Sequence, residues 1–144
     1  MEDRMKKLIL ILIFTIFAGK IFGQSANDFE FKRNTLGTIT IIEYKGSTKQ
    51  VVIPVTIGGI RVAEIGDFAF AENQLTGITI PNSVTTIGES AFAENQLTSI
   101  TIPNSVTTIR ESAFADNQLT NITIPNSITT IEYNTFCNNI PEPI

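Results

Sequence analysis

The larger part of the chain repeats one pattern of apolar and polar positions every 22 residues. Residues 75–96 and 97–118 are identical except at the position pairs 77/99, 88/110 and 94/116. Such self-similarity at a fixed period is the signature of a repeat architecture. The same spacing relates Pro81, Pro103 and Pro125, then Phe70, Phe92, Phe114 and Phe136, and also Leu75, Leu97 and Leu119.

Each repeat begins with a predicted β-strand. In Ile100-Thr101-Ile102, apolar and polar residues alternate with a period of two, which is typical of a half-buried strand. Pro103 then ends the ladder, because proline has no amide hydrogen, and Asn104 provides turn chemistry. The equivalent segments predict four strands, near residues 51–53, 78–80, 100–102 and 122–124.

The rest of each repeat is predicted to turn back over an apolar interior. Val106, Ile109, Ala113 and Phe114 supply small and large side chains for this interior. The segment 111–115 fits a single helical turn or an irregular stretch. Asn117 is expected to satisfy backbone groups of the loop through its side chain, or to adopt the left-handed conformation.

The repeats must stack to be stable. One repeat alone buries too little apolar surface to offset the conformational entropy lost when its residues are ordered. Stacking by translation places identical strands side by side in parallel, about 4.8 Å apart. The predicted fold is therefore a mainly β solenoid with a parallel ladder, coils of 22 residues, and short helical or irregular segments on the other side.

The two ends of the array depart from the repeat. Residues 24–52 have no match at this spacing and alternate apolar and polar residues in two stretches, which predicts an N-terminal β cap. The leucine-rich repeats occupy residues 53–139, with a tight hairpin turn at Gly58-Gly59. Pro141 and Pro143 interrupt the template in the tail, residues 140–144, where they oppose a further strand.

The apolar residues of the last repeat, Ile128, Ile131 and Phe136, have no polar cover in the sequence pattern. Three interpretations remain open. The tail folds over them, or they contact another chain in end-to-end self-association through the last coil, or the chain is a shortened relative of longer arrays.

Residues 1–23 are predicted to be a signal peptide. Arg4, Lys6 and Lys7 precede an apolar run of about 12 residues, whereas a membrane-spanning helix needs roughly 20. Cleavage is expected after Gly23, with Ala18 as the alternative, and an uncleaved membrane anchor is the other interpretation. The protein is thus expected to be secreted or held at the cell surface, with membrane contact only through this segment.

Composition excludes several classes of function. The chain has no histidine and no tryptophan, and Cys137 is its only cysteine. Hydrolases that pair a nucleophile with histidine, and zinc sites of the Cys/His type, are therefore excluded. The net charge of −4 does not favour a nucleic-acid partner. We predict no enzymatic activity, no cofactor and no metal site. Cys137 takes the place of the alanines of earlier repeats and is predicted to be a small core residue, with a reactive or intermolecular thiol as the alternative.

Carboxylates recur in two columns of the array. Cation binding or hydrolysis of carbohydrates could use such residues. Acid–base catalysis, however, needs two carboxylates in different environments, and repetition gives each a similar one. A solvated edge is the preferred interpretation, and a carbohydrate-active enzyme is the alternative. The acidic columns consist of Asp67, Glu89 and Glu111, and of Glu72, Glu94 and Asp116.

Hydroxyl-bearing residues define a predicted binding surface. In each strand, a threonine lies between two buried isoleucines and must point outward. Such a surface could bind a protein or a glycan, or bind ice as regular threonine rows do on some parallel β-solenoids. The alternative is that threonine is simply a good exposed strand residue. This threonine face comprises Thr79, Thr98, Ser99, Thr101, Thr120, Asn121 and Thr123.

The repeat resembles the leucine-rich repeat, and most closely that of the BspA-like leucine-rich repeat family. The core of that family, I-P-x-x-V-x-x-I-x-x-x-A-F, is matched by Ile80-Pro81, Val84, Ile87 and Ala91-Phe92, and again 22 residues later. The resemblance covers residues 38–136. It implies a surface protein of a host-associated microbe that attaches to host matrix proteins or to other cells. We therefore expect a non-catalytic secreted or surface protein that mediates protein–protein or cell-adhesion contacts.

Overall fold

The computed structural model of the chain describes residues 25–139. The predicted signal peptide with its cleavage site, and the proline-containing tail 140–144, lie outside the described residues. Within residues 25–139, no helix has the length and apolar character needed to cross a membrane. The elements in chain order are a short 3-10 helix (Ala26–Asp28) and the strands β1 (Phe29–Arg33), β2 (Ile39–Tyr44), β3 (Gln50–Val52), β4 (Thr56–Ile57), β5 (Ile60–Ile65), β6 (Gly77–Thr79), β7 (Thr86–Ile87), β8 (Ser99–Thr101), β9 (Thr108–Ile109) and β10 (Asn121–Thr123).

The strands form a parallel β-solenoid of about four turns, as the repeat predicts. We number the coils 1 (residues 53–74), 2 (75–96), 3 (97–118) and 4 (119–139). The first ladder contains β5, β7 and β9, one strand from each of coils 1 to 3, paired in parallel. The second ladder contains β3, β6, β8 and β10, in which β3 pairs with β6 and β8 pairs with β10, again in parallel.

An antiparallel hairpin of β1 and β2 covers the first coil. β2 pairs in parallel with β5, so the hairpin extends the first ladder at its N-terminal end. The N–H of Tyr44 donates to the carbonyl of Ala69 at 2.8 Å, which joins the hairpin to coil 1. Lys45 forms an ion pair with Glu30 across the hairpin; the hydrogen bond and the charge of Lys45 lower the pKa of Glu30.

The predicted tight turn at Gly58-Gly59 is confirmed. It connects β4 to β5 as an antiparallel pair, with Ile57 opposite Ile60. Both glycines have positive φ angles, 58° and 79°, which the favoured two-residue hairpin turn requires. The turn is where the chain passes from the second ladder into the first.

The strands of the second ladder end one residue earlier than predicted. The predicted strand 78–80 is observed as Gly77–Thr79, and its neighbours shift in the same way. Ile80 and Ile53 both precede a proline, and a parallel bridge between them would need one of the two missing proline N–H groups. The N–H of Ile53 still donates to the carbonyl of Thr79 at 3.0 Å, so the ladder closes there.

The segment between the ladders is irregular rather than helical, which is one of the two predicted outcomes. We call it the phenylalanine strip: residues 68–72, 90–94, 112–116 and 134–138. Its first and last residues have positive φ angles in every coil. In coil 2, the N–H groups of Ser90, Phe92 and Glu94 donate to coil 3 at 3.0, 2.8 and 3.1 Å. Thus the donors of this strip point towards the next coil, and its carbonyls accept from the previous one.

A column of aromatic rings runs through the core along the solenoid axis. The four rings that the repeat brings together, Phe70, Phe92, Phe114 and Phe136, have centroid separations of 5.2, 5.2 and 5.6 Å. Tyr44 of the hairpin stacks on Phe70 at 5.5 Å. Aromatic pairs stabilise a core beyond the area that they bury. The column therefore connects the hairpin and the coils in one continuous core.

A second column, of asparagine side chains, connects the coils by hydrogen bonds. The Asn95 amide nitrogen donates to the carbonyl of Phe70 in the previous coil at 2.8 Å, and to two carbonyls of its own coil. Its oxygen accepts the N–H of Leu75 at 2.9 Å. Asn117 and Asn139 repeat this arrangement one and two coils later. The prediction that the side chain of Asn117 satisfies backbone groups is thus confirmed.

Coil 4 is less buried than the coils before it. Ile109 is 1% exposed, whereas Ile131, its equivalent in coil 4, is 49% exposed. Cys137 is also exposed, although the equivalent Ala115 is buried. The prediction of a core position for Cys137 was therefore wrong, because a side chain in this column is buried only where a following coil packs on it.

We expect Phe92→Ala to lower the free energy of unfolding by about 3–5 kcal/mol, because the fully buried ring lies between two others and its loss leaves a cavity. Thr101→Ala, at an exposed position, should change it by about 0.5 kcal/mol or less. Chemical denaturation of both variants is the measurement. Equal losses would show that the inner and outer faces of the coils are reversed.

We expect Asn95→Ala to cost more than about 2 kcal/mol, because several buried backbone groups would lose their partner at once. Asn104→Ala is the matched control, since the same change at this exposed asparagine removes no buried hydrogen bond. Urea denaturation compares the two variants. Similar losses for both would mean that the asparagine column does not hold the coils together.

Candidate binding surface

The threonine face lies on the outer side of the second ladder. Ile100 at the centre of β8 is buried, whereas Ser99 and Thr101 on either side of it are exposed. This alternation follows from the pleat of a strand, in which successive side chains point to opposite faces. The other members of the face are exposed as well, so the structure places all seven predicted residues at the surface.

Strand pairing arranges members of the face in rows along the solenoid axis. In the parallel pair of β8 and β10, Ser99 lies opposite Asn121 and Thr101 lies opposite Thr123. Side chains directly opposite one another in paired strands are about 5 Å apart. Hydroxyl and amide groups are therefore presented at a regular spacing set by the backbone.

Two members of the face also connect coils 3 and 4. The N–H and the hydroxyl of Thr120 donate to the carbonyl of Thr98 at 3.0 and 3.4 Å. Asn121 donates to the Thr120 hydroxyl at the longer distance of 3.5 Å. Thr98 and Thr120 directly precede β8 and β10. Their hydrogen bonds contribute to coil stacking, and their side chains contribute to the surface.

A cleft of about 520 Å³ opens on the threonine face between β6 and β8. These strands are neighbours in space but belong to separate two-stranded sheets. Thr79, Ser99, Thr101 and Thr123 line the cleft, together with isoleucines of both strands. None of its lining residues is charged. The cleft thus offers neutral hydrogen-bond donors and acceptors beside an apolar surface.

Two asparagines of the cleft were not predicted as binding residues. Asn82 and Asn104 line it, and each follows the proline that ends a strand. The sequence pattern indicates only turn chemistry for Asn104. The available signal is the recurrence of the two asparagines at one position of the repeat, directly after the proline that ends each strand.

The acidic columns lie on exposed edges and bridge neighbouring coils. A carboxylate oxygen of Asp67 accepts the N–H of Glu89 at 2.9 Å, and one of Asp116 accepts the side-chain amide of Asn138 at 2.9 Å. In the described part of the chain, no group of three or more acidic or cysteine side chains is placed to hold a metal ion. The contacts seen for these carboxylates are hydrogen bonds between coils.

A parallel solenoid with coils of this length, and with columns of leucine, isoleucine and phenylalanine inside, defines a leucine-rich repeat protein. Residues 63–141 match the family model described as the BspA type leucine rich repeat region, in 6 copies. The chain therefore belongs to this family, and the resemblance seen in its sequence is confirmed. Membership in the family indicates a repeat protein of the protein–protein interaction type.

Solved structures of bacterial leucine-rich repeat proteins are similar to this chain. One, from Bacteroides capillosus, is 29% identical with a TM-score of 0.61, covering 78% of this chain and 90% of that chain. The T. pallidum leucine-rich repeat protein is 18% identical (TM-score 0.47, covering 83% and 91%). A leucine rich cell surface protein from Faecalibacterium prausnitzii is 23% identical (TM-score 0.44, covering 85% and 53%). A search of curated proteins found no match.

Proposed function

We propose that this protein is an exported, non-catalytic binding module that holds a protein partner at the cell exterior through its threonine face. The observation that carries the proposal is the uncharged cleft of about 520 Å³ between β6 and β8, lined by hydroxyl and amide groups of successive coils. Backbone and polar side chains of a protein partner offer the hydrogen-bond groups that such a surface can match. Export rests on the predicted signal peptide, and a host matrix protein is the partner that the family resemblance favours.

The size of the face limits the affinity of a single site. Its seven residues lie on or beside three strands, β6, β8 and β10, of which β8 and β10 are paired. Seven contacts are few compared with about 20–30 residues on each side of a standard interface. The cleft also has no tryptophan, tyrosine or arginine, the residue types that most often anchor binding energy. Single-site binding is therefore weak, and attachment depends on many copies on one surface.

The test compares two triple variants in binding to immobilised matrix proteins and to intact cells. Thr79, Thr101 and Thr123, all changed to lysine, place three long cations on the face, and we expect binding to fall at least tenfold. The control changes Thr35, Thr107 and Thr108 to lysine, because these threonines are also exposed but lie off the face. The control should bind like the wild type.

Folding of both triple variants is checked by circular dichroism and thermal unfolding before binding is compared. If the folded face variant keeps full binding while the wild type binds, the threonine face is not the site. If the wild type binds none of the proteins or cells, the proposed function fails as a whole.

A further inference from the structure

The second ladder is interrupted between coils 2 and 3. Where this ladder is continuous, the isoleucine that follows each strand donates its N–H to the last threonine of the next strand. The N–H of Ile53 reaches the Thr79 carbonyl at 3.0 Å in this way, and the same bond joins coil 3 to coil 4 at 3.1 Å. Within residues 25–139, the equivalent bond from the Ile80 N–H to the Thr101 carbonyl is absent.

The interruption extends to the other end of the two strands but not to the rest of the coils. The N–H of Thr120 donates to the Thr98 carbonyl at 3.0 Å, whereas in the described part of the chain the Thr98 N–H makes no equivalent bond to Thr76. Elsewhere the same two coils are joined. β7 pairs with β9, and the amide of Asn117 donates to the Phe92 carbonyl at 2.9 Å. The gap is therefore a local opening of one ladder.

This opening lies in the uncharged cleft of the threonine face, which Ile80 and Thr101 both line. There, one backbone N–H and one backbone carbonyl lack the partner that their equivalents have between other coils. Backbone groups of a folded chain are almost always paired, because an unpaired group lowers stability. The cleft is therefore suited to a ligand that brings one acceptor and one donor in a single group.

The chemistry of this donor and acceptor selects a primary amide. A carboxylate has no donor for the carbonyl, and an ammonium group has no acceptor for the N–H. A trans peptide group has both, but its N–H and C=O point in opposite directions. A side-chain carboxamide has an N–H beside its oxygen, so it can bond to both strands at once. Asn95 already bonds in this way, accepting the Leu75 N–H at 2.9 Å and donating to the Phe70 carbonyl at 2.8 Å.

The spacing of the two strands also favours a side chain over a third strand. Cα atoms of β6 and β8 approach to within 8 Å of one another. An inserted strand would need about 9.6 Å between them, which is twice the usual separation of neighbouring strands. A single side chain of the partner, and not a strand, is therefore the group that fits between β6 and β8.

We propose that the cleft binds the side-chain carboxamide of a glutamine or asparagine of a protein partner. The carboxamide oxygen accepts the Ile80 N–H, and its nitrogen donates to the Thr101 carbonyl. This inference rests on the function proposed above, and it names the group of the partner that enters the threonine face. The bound amide supplies the bridge between coils 2 and 3 that the ladder lacks.

The first test measures hydrogen exchange of single backbone amides by NMR in the unliganded protein. Ile53, Ile80 and Ile102 all precede a proline, and the side chains of all three are buried. We expect the Ile80 N–H to exchange at least tenfold faster than the other two, because it lacks their hydrogen bond to the next strand. Equal protection of the three amides would show that the ladder is continuous and would overturn the proposal.

The second test adds N-acetylglutamine methylamide to the ¹⁵N-labelled protein, with the methionine and glutamate analogues as matched controls. All three probes contain the same two peptide groups, and only the glutamine probe adds a carboxamide. We expect it to shift the Ile80 N–H resonance with an affinity at least tenfold higher than either control, while the Ile53 N–H stays unchanged. A glutamine probe that leaves Ile80 unchanged, or binds no better than methionine, would overturn the proposal and indicate that water fills the cleft.

The third test closes the cleft with a disulfide, in a Cys137→Ala background. Thr79→Cys and Thr101→Cys lie on adjacent strands, and a closed ladder separates such strands by about 4.8 Å, which a disulfide can span. The oxidised variant should lose binding of the glutamine probe and regain it on reduction. The control combines Thr101→Cys with Thr123→Cys, which lie opposite each other in the paired strands β8 and β10. The oxidised control should bind like the wild type, and equal binding by both oxidised variants would contradict the proposed position.

These outcomes are distinct from those that test the proposed function. If the wild type binds matrix proteins or cells but the glutamine probe leaves Ile80 unchanged, the carboxamide site is wrong and the threonine face remains the binding surface. If the probe binds but no matrix protein or cell does, the carboxamide site is supported and the proposed function fails.

Discussion

The buried amide of one asparagine in each of coils 2 to 4 is the interaction on which stacking depends. After the phenylalanine strip the chain turns sharply, and several of its backbone groups face the interior, where water cannot reach them. A buried hydrogen-bond donor or acceptor without a partner lowers stability by about 1–3 kcal/mol. An apolar side chain at this position would leave several such groups without a partner at once. Asn95 and Asn117 each bond to carbonyls of two successive coils and accept an N–H between them. The aromatic column can form because these polar groups are already satisfied.

The outer surface follows from the same stacking. Once a coil fixes which side of its strand faces the core, the threonines between the isoleucines lie outside and repeat at the spacing between strands. The face therefore needs no separate device to hold its side chains in rows. Its chemistry is limited for the same reason, because a residue type that suits one coil recurs in the next, and repetition provides similar groups more readily than a cluster of unlike ones. Such a surface suits recognition by many small contacts more than catalysis.

The main features of the fold could be predicted because local pattern and global stacking agree. The alternation of isoleucine and threonine indicates the strands, and Gly58-Gly59 indicates the turn before β5. The cleft could not be predicted. Coils 2 and 3 are almost identical in sequence, yet among the described strands β6 pairs only with β3 and β8 only with β10. A repeat pattern predicts that every strand pairs equally with the strand before it and the strand after it. In the structure, the pairing of each strand depends on its particular neighbours. The predicted burial of Cys137 was wrong for a related reason. Its position in the repeat is buried in coils 2 and 3, but in coil 4 the side chain is exposed.

The asparagine column also gives the array a preferred order of assembly. Each amide reaches back to the coil before it, so it is fully satisfied only after that coil has formed. A chain synthesised from its N-terminus presents the hairpin first, then coil 1, and each new coil finds a template already in place. If folding started at coil 4, the asparagine of that coil would lack its hydrogen-bond partner in the preceding coil until the preceding coil had folded. The same hydrogen bonds that stabilise the finished solenoid thus favour growth in one direction, with the hairpin as nucleus and coil 4 as the last part to form and the first to fray.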